Sequence, residues 1–319
     1  MMNRSYNVAT RGSKLALIQT ELSIRSLCKL YPSIKCEIIK VKSSGDLKKN
    51  KRLFSVDEKG IFEKEVDKAV LEERADFAVH SIKDIPTELD DNLTIASILK
   101  RENPNDVLIG KSKLRLEQLP PDSLIGTSSL RRAVQIKRNN PTVKISPIRG
   151  NVESRVRKCL NGSFDALVLA EAGLKRLDLS HLIVQRFNYL DFLPAPGQGA
   201  IGIVCRKDNK KIYNVLQKIE DKSTRYAIDA ERSLIHHLNA GCRFPVGAIA
   251  LPNLRTNKIA LYATIFSADG LRSINLKKTD VISNTSQVGM ELANELLSMG
   301  AASFARQWRE ALEKWNDQT

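Results

Sequence analysis

The chain has 319 residues, 42% hydrophobic and only 5% aromatic, with 51 Lys and Arg against 36 Asp and Glu for a net charge of +15. That length and apolar content suit two or three domains with cores of their own and exclude a disordered chain. Five cysteines form no Cys-x-x-Cys pair and no cluster with the four histidines, which argues against a disulfide framework and a zinc site.

Met1-Met2-Asn3-Arg4 opens no apolar leader, and no run of about 18 apolar residues follows. A reduced, cytoplasmic, soluble protein is therefore expected, with a basic surface that attracts polyanions. Part of that charge, the run Lys48-Lys49-Asn50-Lys51-Arg52, reads as a solvated face.

In chain order, Asn7–Thr10 reads as a short buried strand that breaks at Arg11-Gly12-Ser13 into a helix ending near Leu30, before Tyr31-Pro32. Residues 35–42 form a second strand, and Ser43–Gly60 is a long polar, Lys-rich loop. Phe62, Val66, Ala69 and Val70 share one helical face. Asp76–Ser81 is the next strand and delivers Ile82-Lys83-Asp84-Ile85-Pro86 at its carboxyl end.

The plan then recurs. Leu124–Thr127 is a strand, and Ser128-Ser129-Leu130-Arg131-Arg132 opens a helix closed by Asn139-Asn140-Pro141. Val143–Ile148 is a strand leading to Arg149-Gly150-Asn151; a helix over 152–160 precedes a strand over 164–170. Thr10 and Thr127 stand 117 residues apart at matching places, and Ala75-Asp76-Phe77-Ala78-Val79 resembles Phe164-Asp165-Ala166-Leu167-Val168.

The expected fold class is α/β: two similar lobes with mainly parallel sheets. Pro194-Ala195-Pro196-Gly197-Gln198-Gly199 reads as a linker, and the apolar run 200–205 as a buried strand before a helix to about Lys218. Lobe 1 is assigned residues 1–100 and 198–218, and lobe 2 residues 104–195. Residues 222–319 make a small C-terminal α+β domain, with a helix near 224–238, three antiparallel strands (245–251, 258–267, 271–279) and one long helix carrying Leu292 to Trp315 on a continuous face.

In open α/β sheets, ligands bind at the carboxyl ends of strands, where helix N-termini offer free N–H groups. The polar residues collect there: Arg11 and Ser13; Ser81, Lys83 and Asp84; Thr127, Ser128, Ser129, Arg131 and Arg132; Arg149, Asn151 and Arg155. Guanidinium groups pair bidentately with carboxylates while hydroxyls add neutral donors, so a small polycarboxylate or phosphate ligand is expected. Single-stranded nucleic acid would want interleaved aromatics to stack on. Asp84 is the odd carboxylate in this basic set; it pairs with Lys83 or caps the turn before Pro86, or else takes N–H hydrogen bonds and protons from a substrate. His80 reads as a structural residue of its strand. Cys242, alone in the loop Asn239–Gly247, reads as an inert thiol or an attachment point.

With these motifs assembled, the chain resembles the porphobilinogen deaminase (hydroxymethylbilane synthase) family. The resemblance rests on Ala78-Val79-His80-Ser81-Ile82-Lys83-Asp84-Ile85-Pro86, Gly126-Thr127-Ser128-Ser129-Leu130-Arg131-Arg132 and Ile148-Arg149-Gly150-Asn151-Val152. Further on, Leu169–Leu177, Pro196-Gly197-Gln198-Gly199-Ala200 and Gly241-Cys242-Arg243-Phe244-Pro245 complete the set. Ala240-Gly241 stands where the family often has Gly-Gly, and Ser43-Ser44-Gly45-Asp46 where it has Thr-x-Gly-Asp.

The resemblance implies two periplasmic-binding-protein-like lobes, a third domain, and a dipyrromethane cofactor joined by a thioether to Cys242. It implies a transferase of haem biosynthesis that condenses four porphobilinogens with loss of ammonia and releases hydroxymethylbilane by hydrolysis. By the same resemblance Asp84 is the catalytic carboxylate, holding pyrrole N–H groups and stabilising the cationic azafulvene. Lys83, Ser81, Thr127, Ser129, Arg131, Arg132, Arg149 and Asn151 hold the cofactor, while Arg11, Ser13, Gln19, Lys59, Arg149, Arg155, Arg176 and Gln198 bind substrate. The Ser43–Gly60 loop becomes a flap. No metal, nucleic acid or membrane partner is implied, and the family expectation is a monomer. A non-catalytic two-lobe binding protein and a nucleic-acid-binding protein are the competing readings; Asp84 with Cys242 counts against the first, the scarcity of aromatics against the second.

Overall fold

The structure is a computed structural model that describes residues 4–41, 61–238 and 245–317. They form three sheets and divide into two compact units. The first holds the described residues up to Glu102 together with Gly199–Arg225; the second holds Asn103–Gln198 and the chain from Tyr226 onward.

The first unit is built on β1 (Arg4–Arg11), β2 (Ile34–Val41), β3 (Phe77–Ser81), β4 (Leu93–Ile98) and β10 (Ile201–Arg206), in the order β2-β1-β3-β10-β4. β1 runs parallel to β2 and β3, whereas β10 is antiparallel to both its neighbours. Helices α1 (Lys14–Leu30), α2 (Ile61–Leu71) and α6 (Lys210–Leu216) belong to this unit. Val8, Phe77, Val79, Ile201 and Ile203 are buried with Leu27 of α1 and Ile212 and Leu216 of α6.

The second unit repeats the order. β7 (Lys144–Ser146), β6 (Leu124–Gly126), β8 (Ala166–Ala170), β5 (Asp106–Gly110) and β9 (Ile183–Arg186) form its sheet, again with one antiparallel strand, β5, in the fourth place. Its helices are α3 (Leu130–Asn139), α4 (Val152–Leu160) and α5 (Glu171–Arg176). Ala166 and Val168 point into one core, Leu167 and Leu169 into another. The side-chain period of two thus buries both faces, which is why β8 reads as an unbroken apolar run.

The repeat extends to single hydrogen bonds. The Asp76 N–H donates to the Asn7 carbonyl at 2.8 Å and Asp76 Oδ2 accepts from the Asn7 N–H at 2.7 Å; Asp165 does the same with Leu124 at 2.9 and 2.7 Å. Asn7 and Leu124 therefore stand at the same 117-residue offset as Thr10 and Thr127. The Ile82 N–H donates to Ala200 as the Glu171 N–H donates to Asn105, both at 3.0 Å. Even the register shifts coincide, at Ile203/Val204 and Leu108/Ile109.

The same unit carries β11 (Val246–Asn253), β12 (Lys258–Phe266) and β13 (Ser273–Val281), an antiparallel sheet in that order. Their buried faces pack on α7 (Lys222–His237), α8 (Thr285–Ser298) and α9 (Ala301–Asp317). The long C-terminal helix expected from the sequence is thus two helices. Gly300, at φ +98°, takes the left-handed conformation that ends α8, its N–H donating to the Leu297 carbonyl at 3.0 Å.

Candidate active site

In the first unit the polar residues gather where β1 and β3 end. Arg11 is the last residue of β1, and Ser13 caps α1, its Oγ accepting from the Ala16 N–H at 3.3 Å. Gln19, buried on α1, donates through Nε2 to Ser81 Oγ at 2.8 Å, which fixes the carboxyl end of β3. From Ser81 the chain makes a single 3-10 turn, Ile82–Asp84.

Packing decides which side chains that turn shows. Ile82 and Ile85 are buried, whereas Lys83 and Asp84 between them are exposed. A Cβ on Gly202 of β10 would stand 2.4 Å from Ile82 Cδ1 and 3.1 Å from Ile85 Cδ1, so the bare glycine is what lets the two isoleucines sit on the sheet. Asp84 is therefore a carboxylate presented from a short turn anchored on both sides. His80, one residue before Ser81, is buried and its Nε2 meets Asp67 Oδ1 of α2 at 3.0 Å.

In the second unit, the loop after β6 is bound to the loop after β7. Ser128 Oγ donates to the Ile148 carbonyl at 2.7 Å and accepts from the Ile148 N–H at 3.0 Å. Thr127 Oγ1 accepts from the Ser129 N–H at 3.2 Å. Ser129 is the N-cap residue of α3, yet its hydroxyl makes no capping bond. Arg149 is half-buried, Asn151 caps α4 by accepting from the Ser154 N–H at 2.8 Å, and Arg155 Nε donates to the Gly150 carbonyl at 2.6 Å. Arg176 ends α5, half-buried.

Arg131 and Arg132 are buried, and both pair with one carboxylate that the sequence reading did not single out. Arg131 Nη2 lies 2.8 Å from Asp106 Oδ2, and Arg132 Nη2 lies 2.7 Å from Asp106 Oδ1. Arg132 also donates to the Val168 carbonyl and Gln198, and Arg131 to the Leu193 carbonyl. Gln198 is buried too, its Nε2 donating to Asp106 Oδ1 at 2.9 Å and to the Pro104 carbonyl at 2.7 Å.

Burial alone would raise the Asp106 pKa, but the two guanidinium groups outweigh it and hold the carboxyl down at about 2. Cations in the first turn of a helix oppose its macrodipole, and Asp106 offsets that for α3. Two guanidiniums against one carboxylate still leave a net positive charge in buried surroundings. That surplus, with the uncommitted capping role of Ser129, fits an anionic group. Lys59 and Cys242 lie outside the described residues.

Comparison with known proteins places the chain in one lineage. The family model described as "Porphobilinogen deaminase, dipyromethane cofactor binding domain" matches residues 6–214, and "Porphobilinogen deaminase, C-terminal domain" matches residues 225–298. The chain belongs to the porphobilinogen deaminase family. It is 46% identical over 311 residues to the probable porphobilinogen deaminase of Nitrosopumilus maritimus (strain SCM1), covering 98% of this chain and 99% of that one. Against the porphobilinogen deaminase of Desulforudis audaxviator (strain MP104C) it is 40% identical over 303 residues, 95% of this chain and 97% of that one. A solved structure, the second substrate binding domain of a putative amino acid ABC transporter from Streptococcus pneumoniae Canada MDR_19A, is similar at a TM-score of 0.42 and 12% identity, over 67% of this chain and 90% of that one.

Within this family chain, the fully buried carboxylates Asp106 and Glu231 escaped the sequence reading. Asp106 opens an apolar strand with no motif around it; only its repeat position, occupied by Ile201 in the first sheet, marks it as unusual. Glu231 of α7 is completely buried, with Oε2 accepting from the Gly197 N–H at 2.6 Å and Oε1 from the Ala250 N–H at 2.9 Å. No helix of the described residues is long and apolar enough to cross a membrane.

Proposed function

We propose that this chain is the transferase that makes hydroxymethylbilane. It condenses four porphobilinogen molecules head to tail, losing ammonia at each step, on a dipyrromethane primer held by a thioether to Cys242, and releases the product by hydrolysis. The nearly full-length relationship to porphobilinogen deaminases carries this reading. When bound, the primer would supply the electron-rich pyrrole carbon to which the first unit is joined, and each later unit would be joined to the terminal ring of the growing chain. The division into residues 1–100 with 198–218, 104–195 and 222–319 as three domains, action as a monomer and a cytoplasmic location belong to the same proposal.

The residues suit the reaction's demands. Every pyrrole brings an acetate and a propionate, so the growing chain accumulates negative charge. Arg11, Lys83, Arg149, Arg155 and Arg176 supply cations for it, Ser13, Gln19, Ser81, Thr127, Ser129 and Asn151 supply neutral donors, and the Arg131–Asp106–Arg132 cluster with Gln198 adds its surplus positive charge. Asp84 accepts the pyrrole N–H and stabilises the positive charge that develops on porphobilinogen as the amino group leaves. It then takes up the proton released from the ring carbon. A carboxylate fixed beforehand beside a developing cation is electrostatic preorganisation, commonly the greatest single source of rate enhancement.

Three of the four other thiols, Cys36, Cys159 and Cys205, are poor candidates for the attachment point. Burial pushes Cys159 and Cys205 up to about 11 and Cys36 up to about 12, leaving them little thiolate with which to form a bond. Protein from cells that make porphobilinogen should weigh more than the bare sequence by one dipyrromethane, with the added mass on the Cys242 peptide; Cys242→Ser should show the bare mass. A wild-type protein at the bare mass from such cells would sink the proposal.

A further inference from the structure

Buried contacts of the second unit converge on one short stretch, residues 193–198, of which the reaction as proposed uses only Gln198. On one side it is held by the arginine cluster: the Leu193 carbonyl accepts from Arg131 Nη1 at 2.6 Å and from Gln135 Nε2 at 3.2 Å, and the Gln198 side chain joins Asp106 and Arg132. On the other side it is held by the C-terminal sheet. The Ala248 N–H donates to the Pro194 carbonyl at 3.0 Å, and a Cβ on Gly247 would stand 2.7 Å from Leu193 Cβ, so β11 lies against the stretch itself. Glu231 completes the grip, taking the Gly197 N–H with one oxygen and the Ala250 N–H of β11 with the other. Gly197, at φ +76°, allows the backbone to turn its N–H to that carboxylate.

We infer that residues 193–198 are a latch, and that Glu231 is a positioning residue which fixes β11 against the Arg131–Asp106–Arg132 cluster. The inference rests on the function proposed above. Cys242 lies in the segment joining α7, which carries Glu231, to β11, which Glu231 holds. A primer tethered there meets the arginines as an intramolecular ligand. Its effective concentration depends on how rigidly the tether is held relative to the cations that receive its carboxylates. The latch supplies that rigidity: a buried carboxylate shared by two backbone N–H groups cannot be replaced by water or by a single-acceptor side chain without losing one of them.

The test is the stabilisation that the primer gives to the fold. Full-length protein is made in cells unable to produce porphobilinogen, then loaded by adding porphobilinogen, with intact mass reporting attachment and Tm measured before and after. Glu231→Gln keeps the size of the side chain but turns its amide N–H₂ toward one of the two N–H donors. The inference expects a lower Tm before loading and, at equal attachment, a rise on loading less than half that of the wild type. A residue that merely stabilises the fold would lower both values equally, so an undiminished rise overturns the inference.

Should Glu231→Gln not fold, Gln135→Met removes the Nε2 bonds to the Leu193 carbonyl and, within α3, to the Arg131 carbonyl, leaves the Arg131 and Arg132 guanidinium contacts in place, and decides by the same comparison: a smaller rise supports the latch, and a wild-type rise overturns it. A wild-type protein that gains neither mass nor Tm refutes the proposed function, and the latch falls with it.

Discussion

The two α/β sheets share strand order, register shifts and paired backbone hydrogen bonds, and differ in where each places its carboxylates. At the end of β3 the first sheet turns once and exposes Asp84; at the matching end of β8 the second enters α5 and buries Glu171, which accepts from Arg186 Nε at 2.7 Å. Where the first sheet has Ile201 and Gly202, the second has Asp106 and Val107, as the pairings Ile201↔Ser81 and Asp106↔Ala170 show. A duplicated frame thus fixes strand ends in both units, while the residues filling it divide the work. One unit presents a solvent-facing carboxylate, Asp84, and the other a buried carboxylate that organises two cations.

The sharpest way to break this contrast is to neutralise the buried carboxylate. Asp106→Asn leaves Arg131 and Arg132 without a counter-charge, and removing one partner of a buried ion pair costs about 3–5 kcal/mol, a large share of a stability of roughly 5–15 kcal/mol. Chemical denaturation should show that loss at pH 7. The Asp106 pKa is about 2 in the folded state against an ordinary 3.8, so its contribution is fully present above pH 3.8 and disappears as pH falls through about 2. The stability gap between wild type and Asp106→Asn should be flat from pH 7 down to 3.8 and close below it. A gap that closes near neutral pH would remove Asp106 from this role.

The exposed carboxylate should behave in the opposite way. Asp84→Asn touches no buried partner among the described hydrogen bonds of the turn, so Tm should hardly move, whereas kcat should fall roughly 10²–10³-fold, as for loss of a preorganised electrostatic group. Attachment of the primer, followed by intact mass, separates the two stages of the chemistry. Turnover within a few-fold of wild type would return Asp84 to the role of a simple turn residue.

Much of this frame can be read from the chain itself. β3, β6 and β8 are short, mostly apolar runs, and β1, β3 and β6 lead directly into Arg11-Gly12-Ser13, Ile82-Lys83-Asp84 and Thr127-Ser128-Ser129, so their ends announce themselves. β4, β5 and β9 do not, because a strand's neighbours are set by pairing rather than by its own residues. Asp106 is illegible for the same reason: an acidic residue before four apolar ones looks like a loop boundary until β5 is inserted beside β8. The tandem Arg131-Arg132 signals anion binding equally well whether the anion is a ligand or Asp106, and only the fold supplies the second partner. The break at Gly300 was available as a lone glycine, but the apolar face continues past it from Leu296 to Phe304 and Trp308, masking the stop.

The mildest test concerns the glycine that distinguishes the two frames. Gly202→Ala places a methyl group 2.4 Å from Ile82 Cδ1, and crowding of this kind in a packed core costs about 1–3 kcal/mol. Because Ile82 and Ile85 bracket Lys83 and Asp84, the strain should be relieved by moving the turn, so kcat should drop severalfold along with Tm. Ile82→Val removes the colliding Cδ1 and leaves a small void when Gly202 is kept. In the double variant the new methyl group fills that void, and both Tm and kcat should recover beyond the sum of the single effects, a coupling expected of residues in direct contact. Strict additivity would mean that the turn does not depend on Gly202, and that the exposure of Asp84 is set by the 82–84 backbone alone.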